Sequence, residues 1–187
     1  DKMKAKTLFG MAILSAAMTA AVIPMQANAE KPSAVDKIDV NQYAGKWYEI
    51  AHLPMYFQRH CLSDTTAVYM LNPDKTIGVL NSCRTKTGQM DSSEGVAYPA
   101  NSGNSKLKVS FLPKGLRWLP FTKGDYWVLR VDPEYKVALV GGPSTKYLWL
   151  LSKTPTIDDA TYNSYLETAK QQGYDLSKLI KTPHRTP

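Results

Sequence analysis

The chain has 187 residues, a formal net charge of +7, two cysteines and three histidines. That length supports one substantial hydrophobic core. Cysteines and histidines this few, at no ligand spacing, give no metal or cofactor site to read, and the basic residues are scattered with no nucleic-acid motif among them.

The chain opens as an export signal. Lys2, Lys4 and Lys6 precede an apolar run over 8–23, and Ala27-Asn28-Ala29 is a small-x-small cleavage site. Residues 1–29 are therefore predicted to be a signal peptide, 30–39 an N-terminal extension and 40–187 the folded domain. No cysteine lies near the cleavage site. The expected product is soluble, periplasmic or secreted, and without a lipid anchor.

After residue 40 the signals are those of short strands. Gly45 and Trp47 share a strand in which the glycine permits positive φ or close backbone approach and the indole shares its face. Residues 65–71 and 76–81 are rich in β-branched and aromatic side chains and flank the turn residues Asn72-Pro73-Asp74-Lys75, so they form a hairpin. Gly88 marks the next turn. Further strands are predicted over 94–98, 106–111, 126–131, 136–140 and 147–151. Eight closely spaced strands with turn chemistry between them give an all-β barrel or sandwich.

The period then changes. Thr156 is the predicted cap of a helix whose first turn holds Asp158 and Asp159. Ile157, Ala160, Leu166 and Ala169 form its apolar stripe, and Gly173 ends it.

Two cysteines in an exported protein are expected to pair. Strict hairpin register sets Cys83 nearer Asp64 than Cys61, so a Cys61–Cys83 bond requires the segment before Thr65 to bend inward. An alternative keeps Cys61 free as an enzyme nucleophile, its thiol activated by Arg59 and His60. A third has His52 or His60 ligating a haem or pigment.

The residues resemble the lipocalin family, in particular bacterial lipocalins of the apolipoprotein D type. The match runs from about Val40 to about Ile180. Gly45-x-Trp47-Tyr48 is similar to the first family motif, and Tyr126-Trp127-Val128-Leu129-x-x-Asp132-x-x-Tyr135-x-x-Ala138 to the second. Tyr147-Leu148-Trp149-Leu150-Leu151-Ser152-Lys153-x-Pro155 is similar to the third. The resemblance implies an eight-stranded antiparallel up-and-down barrel, open at one end, with the C-terminal helix packed outside. It implies a non-enzymatic binding protein for small apolar ligands, fatty acids or lysophospholipids, working as monomer or homodimer. The family usually has arginine where Lys153 stands over the base tryptophan. Lysine loses the planar fork, so a looser base cap in the same fold is expected.

Alternation sorts the strands into faces. The predicted inward, ligand-facing set is Ala67, Tyr69, Leu71, Ile77, Val79, Asn81, Leu107, Val109, Phe111, Tyr126, Val128, Ala138, Val140, Tyr147 and Trp149, with Gly45, Trp47 and Lys153 at the base. Leu148 and Leu150 are assigned to the helix. The Tyr126 hydroxyl is expected near the mouth, and no buried carboxylate or histidine is implied inside. Residues 53–60 and 112–123 are unusually apolar loops. At the open mouth they would give transient contact with a membrane surface.

Overall fold

The structure, a computed structural model, describes residues 15–21 and 31–185. The predicted cleavage site lies outside the described residues. Eight strands run in chain order: β1 Gly45–His52, β2 Cys61–Leu71, β3 Ile77–Thr85, β4 Met90–Pro99, β5 Lys106–Ser110, β6 Gly124–Val131, β7 Val137–Gly141 and β8 Trp149–Ser152. Each pairs antiparallel with the next, and β1 pairs with both β8 and β2, so the sheet closes on itself. Closure removes the unpaired edges that an open sheet would expose.

The turns at the closed end are set by side chains. Asp74 accepts hydrogen bonds from the Thr76 amide and hydroxyl. Asp132 accepts from the Lys136 and Val137 amides, both at 2.7 Å. These are the local carboxylate-to-backbone bonds that favour a turn over a continuing strand.

The same end is plugged from within. The N-terminal extension crosses it, with the Val35 amide donating to Val128 and the Ile38 amide to Gly103. A one-turn helix α1, Val40–Tyr43, is capped by Asp39 and leads into β1. Gly45 then takes φ +108°, a conformation that a Cβ would strain. Trp47, next on the inward face, is fully buried and donates its indole N–H to the Tyr43 carbonyl at 2.7 Å. The Lys153 ammonium sits 4.6 Å from the indole centroid and donates to the Ala44 carbonyl. Lysine thus holds the base cap with one cation–π contact and one hydrogen bond.

Helix α2, Asp159–Gln171, lies on the outside. Its cap is Asp158, which accepts from the Thr161 amide at 2.7 Å, and not Thr156. Of the expected stripe, Ala160 is exposed, while Ala169 is buried together with Tyr165, and Ile157 packs against them. They pack with Leu139, Leu148 and Leu150 in a second core outside the barrel wall. The assignment of Leu148 and Leu150 to the helix therefore holds. The stripe is not wholly apolar, since the Tyr165 hydroxyl donates to the Val137 carbonyl at 3.2 Å.

A ninth strand was not legible in the sequence. β9, Ile180–Lys181, pairs with Ala51 and His52 of β1. β1 and β2 pair only from Gly45 to Tyr48 and then diverge. The C-terminal segment fills that wedge, with the Asp64 amide donating to Pro183 and the Arg185 amide to the Asp64 carboxylate. Asp64 also takes the Arg84 guanidinium at 3.0 Å. Burial works against its charge, yet these donors hold its carboxyl below the ordinary value. Among the described residues no helix is long and apolar enough to cross a membrane.

Candidate ligand cavity

The barrel encloses a cavity of about 530 Å³ open at the end opposite Trp47. That lies within the usual range for a site taking one small molecule. Its waist is apolar: Ala67, Ile77, Val79, Ala97, Leu107, Val109 and Leu151 border it. Gly95 faces inward between them, and a Cβ there would come within 2.8 Å of the Phe111 ring. The missing side chain is what lets Phe111 fold over the rim.

Of the fifteen predicted ligand-facing residues, ten border the cavity: Ala67, Tyr69, Ile77, Val79, Asn81, Leu107, Val109, Phe111, Tyr126 and Trp149. Five do not. Val128, Ala138 and Val140 point inward but pack beside Trp47 and Ile38 below the floor, where the barrel is filled solid. Leu71 keeps the alternation but β2 has run past the base, leaving it 45% exposed. Tyr147 precedes β8, where it stacks on Trp149 and meets Phe57 at a tilt.

The floor is polar. Tyr43 and Tyr126 hydroxyls lie 2.7 Å apart, and Tyr126 donates to Tyr69 at 2.9 Å. Tyr126 is therefore at the bottom of the cavity and not near the mouth. Its side chain reaches down from β6 to the helix that precedes Trp47, a depth that strand tilt sets and sequence order does not. Burial pushes all three phenols above their ordinary pKa, so they stay neutral donors. Trp149 does not present a free N–H, since it donates to Gln58 at 3.1 Å.

The expectation of a cavity without buried ionisable groups is overturned. Glu49, only 3% exposed, borders it, as do Asp91, Asp125 and His60. Glu49 was readable: it stands two residues after Trp47 on one strand, and alternation turns both inward. His60 approaches Asp91 at 3.0 Å. His52, by contrast, does not border the cavity; its Nδ1 meets the Leu53 carbonyl and its Nε2 lies 4.0 Å from Glu49. That removes it as an interior haem ligand.

Cys61 and Cys83 are bonded, with Cα atoms 5.5 Å apart, so Cys61 is not a free nucleophile. The inward bend is a double bulge. β2 takes five steps from Thr66 to Cys61 where β3 takes three from Ser82 to Thr85, and Asp64 sits at φ +56° within it. Around the mouth, Tyr56, Phe57, Leu116, Trp118 and Phe121 are exposed. Leu53 and Met55 of the same apolar run are not; they are buried.

A family model described as a lipocalin-like domain matches residues 38–184. The chain belongs to the lipocalin family. It is 49% identical over 152 residues to temperature-induced lipocalin-1 of Arabidopsis thaliana, covering 80% of this chain and 81% of that one. It is 41% identical over 154 residues to the outer membrane lipoprotein Blc of Vibrio cholerae, covering 81% and 85%. Among solved structures, insecticyanin of the tobacco hornworm Manduca sexta superposes with a TM-score of 0.63 at 24% identity, over 82% of this lipocalin and 84% of that chain. Lipocalin barrels hold small hydrophobic ligands, and the waist of the cavity here is apolar. A relative named as a lipoprotein gives no support to the expectation of a chain without a lipid anchor.

Proposed function

We propose that this lipocalin binds and carries, or stores, a single acyl-chain lipid, a fatty acid or lysophospholipid, in the bacterial periplasm. It does so as a carrier without catalytic chemistry, and its rim touches the membrane surface only transiently. The observation that carries the reading is the cavity itself: an apolar waist of barrel size, a polar floor, and a rim of exposed aromatic side chains. An acyl chain fits the waist by burial alone, while polar groups at a few points fix its orientation. Envelope location is supported by the outer membrane name of the Blc relative.

The test is binding of a pyrene-labelled lysophospholipid. Trp149 borders the cavity and Tyr126 anchors its floor. Trp149→Ala is expected to weaken binding by roughly tenfold, the loss of one well-packed aromatic contact, with the far-ultraviolet circular dichroism of the barrel retained. Bound lipid should also shift Trp149 emission. Unchanged affinity in both Trp149→Ala and Tyr126→Phe, with the fold intact, would overturn the cavity as the binding site.

A further inference from the structure

The cavity has a charge pattern that its apolar waist conceals. Three carboxylates border it, Glu49, Asp91 and Asp125, and among the described residues no lysine or arginine does. Asp125 is neutralised by Lys108 reaching it from the strand exterior. Among the described residues His60 is the one basic group at the wall, and it is turned to Asp91. Glu49 is different, being buried and facing no lysine or arginine.

Its two oxygens are used unequally. Oε2 accepts the Thr182 hydroxyl at 2.6 Å, with His52 4.0 Å away. That contact ties β1 to the C-terminal segment and accounts for a structural role. Oε1 has no partner among the described residues, in a side chain that borders the cavity. Opposite, where Tyr48 pairs with Thr66, the next inward position on β2 is the buried Thr65.

The tyrosine floor supplies the complement. A phenol has one proton. Tyr126 gives its proton to Tyr69 and so accepts from Tyr43, which leaves the Tyr69 proton as the end of the chain. Among the described residues nothing accepts it. Tyr69 stands on the inward face of β2, two positions below Ala67 and four below Thr65. The wall therefore offers an unused acceptor on Glu49 and an unused donor on Tyr69.

We propose that Glu49 selects the ligand's buried polar end: a hydroxyl or an ammonium that donates to it, in preference to a free carboxylate. This rests on the lipid-carrier reading and narrows it. A hydroxyl can donate to Glu49, and a separate oxygen of a ligand that reaches the floor can accept from Tyr69, which stands four positions further down β2 than Thr65. An ammonium satisfies Glu49 with charge as well. A carboxylate cannot donate to the Glu49 carboxyl group, and among the described residues no lysine or arginine borders the cavity to offset its charge. Hydroxyl-bearing acyl lipids are preferred over free fatty acids.

The experiment is displacement of the neutral dye Nile red by three ligands with one chain length: dodecanol, dodecylamine and dodecanoate. At about pH 8 the amine is protonated and the acid ionised. Dodecanol and dodecylamine should displace the dye at roughly tenfold lower concentration than dodecanoate. Glu49→Gln should close that gap by strengthening dodecanoate. Dodecanoate binding as tightly as dodecanol, or a gap unchanged in folded Glu49→Gln, overturns the proposal; should that variant not fold, the ranking in the native protein decides alone. Failure of all three ligands to displace the dye refutes the carrier reading itself, whereas equal displacement by all three refutes only this selection.

Discussion

Replacing Trp47 with alanine is expected to cost about 3–5 kcal/mol of stability, the usual range for deleting a buried large aromatic. Nothing at the base can collapse into the space. Ile38, Tyr43, Ala67, Ala138 and Val140 already pack around the indole, each held by its own strand, helix or extension. The loss also strips Lys153 of the ring beneath its ammonium and the Tyr43 carbonyl of its indole donor. Tyr43 would then loosen, and with it the tyrosine chain of the cavity floor. Urea unfolding should show the midpoint falling with little change in slope, and Trp47→Phe should lose less. A Trp47→Ala protein of native stability that had lost only lipid binding would place this residue in the cavity wall and contradict its role at the base.

Removing the Cys61–Cys83 bond should destabilise by about 3 kcal/mol, the entropic value for the loop it closes across a separation of 22 residues. The bond ties the end of the 53–60 mouth loop to the inner face of β3, and both cysteines border the cavity. In the double alanine variant the bulge at 61–65 loses its covalent tie and keeps its backbone pairing with β3 and the Asp64 contacts with Arg84, Pro183 and Arg185. Lipid affinity should therefore fall together with stability. Peptide mapping without reductant should recover the two cysteines in one linked fragment. Recovery of two free thiols from the native protein would rule the bond out.

Where local chemistry alone decides a feature, the sequence carried it. Gly45-x-Trp47 announced a positive φ followed by a buried indole. The turn at Asp74 announced itself through a carboxylate that bonds its own backbone. The apolar alternation of Leu107 and Val109 between Lys106 and Lys108 fixed which face looks inward. The features that were missed depend on pieces that meet only in three dimensions. β4 begins at Met90, four residues before its apolar alternation, because Asp91, Ser92 and Ser93 pair with β3 despite their polar side chains. β9 is two residues long and forms only because β1 and β2 diverge and leave a wedge. The depth of Tyr126 follows from barrel tilt, and so does the solid packing that takes Val128, Ala138 and Val140 away from the ligand. Glu49 was within reach of the same alternation that placed Trp47.

Native mass spectrometry of the exported protein, purified without added ligand, tests the central claim most directly. The expected spectrum shows the polypeptide with one lipid per chain, a complex that releases its lipid on collisional activation and re-forms after delipidation when lysophosphatidylcholine is supplied. A spectrum of bare polypeptide alone, unchanged by that lipid while the barrel remains folded, would contradict the carrier account.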